Sequence, residues 1–124
     1  MTAAAAKLFM AAYGRRLRSQ RPVKEDEMSQ YIMLCNWTDQ GIRHVQDSPD
    51  RLDAARDLCQ QHGADVTGFY MTMGIYDLVL VVDAPNDDIM ARIAVSLGKG
   101  GNVRTITLKA FDEKQYREII DSLS

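Results

Sequence analysis

Two segments that are apolar at nearly every position constrain the fold of this 124-residue chain more than any other feature. They cover residues 31–37 and 76–82. A strand with one solvated face alternates apolar and polar residues, whereas a strand covered on both faces is apolar throughout. Both segments therefore predict strands at the centre of a sheet that is covered on both sides.

Helical periodicity and turn residues place the other elements around these two strands. Apolar residues recur at steps of three or four in the helical segments, and β-branched and aromatic residues mark the strands. Glycine, proline and short polar residues mark the boundaries. The predicted order begins with a strand over 31–37, a turn at 38–41 and a helix from its N-cap Ser48 to Gly63. A hairpin follows, with strands over 64–73 and 76–82 joined by a tight turn at Gly74-Ile75. The last elements are a helix between Pro85 and Gly98, a strand over 103–110 and a helix starting at Asp112.

This β-α-β-β-α-β order with a C-terminal helix is typical of the ferredoxin-like α+β fold, an antiparallel sheet in which the first and third strands are central. Two crossover helices cover only one face of a four-stranded sheet, so the apolar residues of the second face need another cover. A second copy of the chain is the simplest one. The sequence therefore predicts a homodimer in which two sheets face each other as an α+β barrel that encloses a cavity for a small molecule.

Charge divides the chain into two parts. Residues 1–24 carry six basic residues and no acidic one, whereas residues 28–124 carry nine basic and fourteen acidic residues. We interpret residues 1–29 as a basic, flexible leader and residues 30–124 as the folded domain, and Met28 is a candidate natural start. An acidic body repels a polyanion, so we expect no nucleic-acid partner for the domain.

Composition excludes several other classes of protein. The chain has no apolar run near the roughly 20 residues that span a bilayer, so we expect no membrane partner. Cys35 and Cys59 lie in predicted ordered elements, which is typical of free thiols in the cytoplasm. His44 and His62 have no neighbouring Cys or His pair, so no metal site is predicted. The glycine-rich segment 98–101 ends a helix and lacks the phosphate-loop spacing, so no cofactor is predicted either.

Asp77 is the strongest candidate for a functional side chain, because a carboxylate at the edge of an apolar strand is costly unless it is paired. It either accepts turn amides or pairs with Arg104, or else it faces the cavity as an acid, base or ligand anchor. His44 is either a general base beside Asp39 or Asp47, or a surface histidine. The candidate ligand-binding residues are Trp37, His44, Tyr70, Tyr76, Asp77 and Arg104.

Four ordered motifs resemble those of the GYD domain family. They are NWTDQGI at 36–42, SPDRL at 48–52, TMGIYD at 72–77 and GNVRTITLKAF at 101–111. The resemblance implies a dimeric α+β barrel, and it implies no particular reaction because the family has no established biochemical role. The chain is also similar, more distantly, to the effector-binding domains of Lrp/AsnC transcription regulators, which bind amino acids at oligomer interfaces. The DNA-binding half of those regulators is missing here.

These observations leave three hypotheses open. The first is a small-molecule binding or sensing module without catalysis, because no catalytic triad, metal set or nucleotide loop is apparent. The second is a cofactor-independent isomerase or oxygenase acting on a small aromatic or carbonyl compound, by analogy with other barrels of this architecture. The third is an interaction module whose cavity is filled by side chains.

Overall fold

The computed structural model describes residues 27–123 and contains one four-stranded sheet with five helical segments beside it. Residues 1–26 of the predicted leader lie outside the described residues. The strands are β1 (Ser29–Trp37), β2 (Asp65–Met71), β3 (Leu78–Ala84) and β4 (Val103–Ala110); the helices are α1 (Asp39–Arg43), a 3-10 turn (Val45–Asp47), α2 (Ser48–Gln61), α3 (Asp87–Lys99) and α4 (Glu113–Asp121).

The strand order is β2-β3-β1-β4, and every neighbouring pair is antiparallel. The two segments that are apolar on both faces are thus the two central strands, β1 and β3. This arrangement confirms the predicted ferredoxin-like α+β fold. The sequence pattern agrees with this order. A strand whose two faces are both covered is apolar along its whole length, and such strands lie at the centre of a sheet.

Two predicted turns were wrong, β3 begins and ends two residues later than predicted, and Asp47 instead of Ser48 is the N-cap of α2. Residues 38–41 are not a simple turn, because the Thr38 hydroxyl accepts the backbone N–H of Gly41 at 3.1 Å and caps helix α1. The hairpin between β2 and β3 does not turn tightly at Gly74-Ile75 but through residues 72–77. Thr72 closes this longer loop, since its N–H donates to the carbonyl of Asp77 at 2.8 Å and its hydroxyl donates to that of Tyr76 at 2.6 Å.

The core lies between the helices and one face of the sheet, which we call the inner face. On β1 the inner residues Tyr31, Met33 and Cys35 are buried, and they alternate with residues that are not. The helices contribute buried side chains to the same cluster, with Cys59 from α2 and Met90 and Ile93 from α3. Two-residue periodicity thus sends half of each central strand into the core.

The opposite side, the outer face, is apolar at its centre and is only partly covered. Its central residues are half-buried, and on the edge strand β4 Ile106 and Leu108 are 50% and 46% exposed. The register places these β4 residues beside Leu34 and Ile32 of β1. The apolar side chains of the outer face are Ile32, Leu34, Val79, Val81, Ile106 and Leu108. None of the helices in residues 27–123 is long and apolar enough to cross a membrane.

Candidate functional site

Asp77 completes the pairing of the two central strands at the point where β3 begins. Its backbone N–H donates to the carbonyl of Cys35 at 2.9 Å, and its carboxylate accepts the backbone N–H of Trp37 at 3.0 Å. The side chain therefore replaces the backbone acceptor that the next residue of a longer strand would supply. Among the described residues no ion pair joins Asp77 to Arg104, which lies on β4 opposite Asn36.

The first and last of the four motifs meet at the end of β1, where they hold the backbone together. Thr38 donates from its backbone N–H to Asn102 O at 3.0 Å and from its hydroxyl to Gly101 O at 2.5 Å. A Cβ on Gly41 would lie 2.0 Å from that same Asn102 oxygen, so only glycine fits there. These motif residues therefore serve to position the segments around the site.

The structure does not bring the six candidate side chains into one site. Trp37 lies on the inner side of the sheet, whereas Tyr70 and Arg104 lie on the two edge strands of the outer face. Tyr76 is half-buried in the loop between β2 and β3. His44 is exposed at the end of α1, where its backbone carbonyl accepts a hydrogen bond from Arg51 at 2.9 Å.

Neither Asp77 nor His44, the acid and base candidates of the enzymatic alternative, lines the cavity between the sheet and helices α2 and α3. The Asp77 carboxylate is occupied by the Trp37 amide. The placement of these two residues gives the enzymatic alternative no support, because a general base must lie within hydrogen-bond reach of its substrate.

A cavity of about 250 Å³ lies between the inner face of the sheet and helices α2 and α3, and we call it the helix-side cavity. Its walls are mainly apolar. The lining residues that are polar or glycine are not buried, among them Ser48, Arg51, Ser96 and Gly100. The lining residues are Cys35, Trp37, Ser48, Arg51, Leu52, Ala54, Ala55, Leu58, Phe69, Leu78, Leu80, Ser96, Leu97, Gly100, Asn102 and Val103.

Sequence reasoning missed this cavity because its residues come from separate elements and each looks like an ordinary core residue. Leu52 and Leu58, for example, have the helical spacing of ordinary core residues. Of the six candidates only Trp37 lines the cavity. Spacing identifies which side chains face inward, but it does not reveal where the facing layers fail to fill the space between them.

Two polar groups of the helix-side cavity lack the partner that their chemistry favours. The indole N–H of Trp37 is buried and has no hydrogen-bond acceptor in the described part of the chain. Arg51 donates to the carbonyls of Gly41 and His44 at 3.1 and 2.9 Å, but it pairs with no carboxylate within residues 27–123. Arg51 is thus a cation of the cavity lining without a neutralising carboxylate among the described residues, and the Trp37 donor is enclosed within the wall.

The cavity thiol is chemically quiet. Burial raises the pKa of Cys35 to about 11, so the group stays protonated at neutral pH and is a poor nucleophile. The second thiol, Cys59, has its pKa raised to about 11, again mainly by burial. Within residues 27–123 no three His, Cys, Asp or Glu side chains are grouped in a way that could hold a metal ion.

A separate polar contact connects the inner face to the start of α3. The buried Tyr31 hydroxyl donates to the carboxylate of Asp87, and Lys109 reaches the same oxygen at 3.1 Å. The hydrogen bond from Tyr31, together with Lys109, holds the pKa of Asp87 below its usual value. Burial, with the bond to Asp87, raises the pKa of Tyr31 to about 12.

Helix α4 carries an apolar stripe that no described residue buries. Tyr116, Ile119, Ile120 and Leu123 follow one another at helical spacing and are all exposed. The helix is well capped, since Asp112 and Gln115 exchange backbone-to-side-chain hydrogen bonds. A capped helix with an uncovered apolar stripe is typical of a helix that packs on another surface.

Comparison with solved structures identifies the same fold in two bacterial regulators. The leucine response regulatory protein of Mycobacterium tuberculosis has a TM-score of 0.52 and 15% identity, and the match covers 90% of this chain and 74% of that one. The feast or famine regulatory protein of the same organism, solved with L-methionine, has a TM-score of 0.55 and 16% identity over the same shares of the two chains. At these identities the likeness concerns the fold alone.

A curated relative from Thermus thermophilus, named glutamine synthetase and cystathionine β-lyase binding protein, is 33% identical over 84 residues. That alignment covers 67% of this chain and 88% of the relative. Residues 31–120 also match the family described as the GYD domain, a span that holds the sheet, both crossover helices and most of α4. The chain therefore belongs to the GYD domain family.

Proposed function

We propose that this protein is a homodimeric module that binds a small molecule without transforming it. The observation that carries the proposal is the outer face of the sheet, where six apolar side chains on β1, β3 and β4 are only partly covered. Four strands about 20 Å long and about 4.8 Å apart present a whole face on the order of 400 Å². A contiguous apolar patch at the centre of such a face that the described residues leave partly exposed favours an interaction site.

A second copy of the chain is the cover that we propose for this face. The outer face carries aliphatic side chains on both central strands and on β4, so two copies related by a two-fold axis would bury the same residues on both sides. The apolar centre of each face would then be removed from water.

The ligand-binding part of the proposal is supported by the helix-side cavity and by the absence of a grouped acid and base in it. An apolar cavity with a few polar groups is the usual form of a small-molecule site. Its volume of about 250 Å³ is near the lower end of such sites and suits a small ligand. No cofactor is needed for binding of this kind.

Light scattering coupled to size exclusion tests the dimer at micromolar concentration. We expect a mass about twice the 13.9 kDa of the chain. Ile106→Glu places a charge in the outer face and should give a folded monomer, whereas Val95→Glu should leave the mass unchanged because Val95 is exposed on α3, away from the sheet. A wild-type monomer that stays soluble and binds no hydrophobic dye contradicts the dimer.

Thermal-shift screening tests ligand binding with amino acids, small aromatic compounds and carboxylic acids. A ligand that binds only the folded state raises the melting temperature by an amount that grows with its concentration. We expect at least one of these classes to do so. If no compound at saturating concentration moves the transition, the protein is not a module for small molecules of these kinds.

A second candidate function is the binding of another protein. Two observations favour it: the relative from Thermus thermophilus has a name that describes binding to two enzymes, and the α4 stripe is available for a contact. Calorimetric titration with purified glutamine synthetase or cystathionine β-lyase from the source organism tests this function. Binding that is lost in Ile120→Asp while the dimer persists supports it, and no heat with either enzyme counts against it.

A further inference from the structure

We propose that the helix-side cavity binds a small monocarboxylate with an aliphatic or aromatic body. This inference rests on the proposed small-molecule function and names both the site and the class of ligand. The site lies within one chain, beneath α2 and α3, and is distinct from any space enclosed between two sheets. The argument combines the volume of the cavity, its apolar walls and the cationic side chain of Arg51.

The walls determine the body of the ligand. Phe69, Leu80, Leu58 and Leu97 present only carbon to the cavity, so a bound molecule gains by burying apolar surface against them. A volume of about 250 Å³ accommodates on the order of ten non-hydrogen atoms, given the roughly 30 Å³ that one water occupies in the liquid. A branched aliphatic chain or a single aromatic ring is of this size.

Trp37 contributes the surface of its aromatic ring to the same walls. Its indole N–H is itself buried and has no acceptor among the described residues. Because this nitrogen has no surface toward the cavity, the ring adds apolar contact area and no hydrogen bond to a bound molecule.

Arg51 determines the charge of the ligand. Two of its N–H groups are held by the Gly41 and His44 carbonyls, which fix the guanidinium in place and leave its remaining donors available. Ser48 and Arg51 both belong to the start of α2, where the helix dipole also favours an anion. Asp50 and Asp53 flank Arg51 in the sequence, but they are exposed and do not line the cavity.

A monocarboxylate satisfies these conditions together. It carries one negative charge and two acceptor oxygens for the remaining N–H donors of Arg51. An amine would be repelled by Arg51. A phosphate dianion would need more donors than this mainly apolar cavity offers. The neutral Cys35 thiol in the wall adds no competing negative charge.

Trp37 is the single tryptophan of the chain, so its fluorescence reports directly on this site. The full-length dimer is titrated with 4-methylpentanoate, with the matched neutral 4-methylpentan-1-ol and with the matched cation 4-methylpentylamine. We expect the carboxylate to change the emission saturably and to bind at least tenfold more tightly than the alcohol. The amine should produce no saturable change.

Three variants locate the binding. Arg51→Gln should weaken the carboxylate at least tenfold and leave the alcohol unchanged. Ala55→Leu fills the cavity from α2 and should abolish binding of both compounds, whereas Ala91→Leu is a matched change at an exposed position of α3 outside the cavity and should have no effect. Far-UV circular dichroism and light scattering verify that each variant remains folded and retains the wild-type mass.

Two results would overturn the inference. One is equal affinity for the alcohol and the carboxylate in the wild type, and the other is carboxylate binding that survives in a folded Ala55→Leu variant. Failure of the inference differs from failure of the proposed function. If amino acids or neutral aromatic compounds raise the melting temperature while monocarboxylates do not, the ligand class is wrong and the binding function stands.

Discussion

The two faces of the sheet contain similar residues and differ in what covers them. Along β1, Tyr31, Met33 and Cys35 are buried under the helices, while Ile32 and Leu34 between them remain half-buried. A monomeric domain would be expected to place polar residues at the second set of positions. Apolar residues on both faces therefore support the proposed second copy of the chain as the cover of the outer face.

The largest expected effect comes from breaking the covered face. Met33→Ala removes a side chain that is 0% exposed and leaves a cavity in the core, so the free energy of unfolding should fall by about 2–5 kcal/mol. Urea denaturation followed by circular dichroism measures this loss. Light scattering of the folded variant should still give the dimer mass, because Met33 does not reach the outer face. A folded monomer would contradict this assignment.

The neighbouring residue on the outer face should behave in the opposite way. Leu34→Ala removes a half-buried side chain from both copies of the proposed interface, at about 1–1.5 kcal/mol for each copy. The dissociation constant of the dimer should therefore rise roughly 30- to 150-fold. Sedimentation over a dilution series measures it, and far-UV circular dichroism should stay that of the wild type. An unchanged dissociation constant would remove Leu34 from the interface.

The difference between the faces also explains what the sequence predicted. The continuous apolar character of 31–37 and 76–82 identified the central strands, because a strand with apolar side chains on both faces lacks the alternation of apolar and polar residues that a half-solvated strand shows. The bounds of β4, 103–110, were predicted as they are observed. Such features depend on local patterns, which a single sequence contains in full.

Features that depend on contacts between distant residues were not predictable in this way. Helix α1 is too short to show a period, and it exists because Thr38 caps it and Gly41 fits against Asn102. The loop at 72–77 contains aromatic and β-branched residues that are typical of strands, yet Thr72 closes it as a loop. The helix-side cavity likewise reflects how layers meet, so only Trp37 among its residues was singled out.

A third substitution sharpens the comparison at the edge of the covered face. Gly41→Ala places a Cβ 2.0 Å from the Asn102 carbonyl oxygen, so α1 or the start of β4 must shift. We expect a loss of about 1–3 kcal/mol in the free energy of unfolding, as for other overpacked sites. Urea denaturation measures it. Gly98→Ala is the control, because a Cβ there meets nothing within 4 Å; equal losses in the two variants would contradict the close approach.

The smallest expected effect concerns the buried hydroxyl of Tyr31 on the inner face. Its contribution to the free energy of unfolding depends on pH. The bond to Asp87 lowers the pKa of Asp87 in the folded state. The contribution of this bond to the free energy of unfolding is therefore present above the unfolded aspartate pKa of about 3.9. It is lost as the pH falls through the lower pKa that Asp87 has in the folded state. For Tyr31 the folded pKa is raised from 10.0 to about 12, so its contribution is present below pH 10.0 and is lost as the pH rises toward 12.

Tyr31→Phe removes both contributions while keeping the aromatic ring in the core. The wild type should exceed the variant in stability at neutral pH, and the difference should shrink both below about pH 3.9 and between pH 10 and pH 12. Urea denaturation at fixed ionic strength across these ranges measures the two curves. Tyr70→Phe is the matched control, since Tyr70 is exposed on the outer face and should keep the wild-type pH dependence. Parallel curves for the wild type and Tyr31→Phe would mean that the hydroxyl does not couple the core to Asp87.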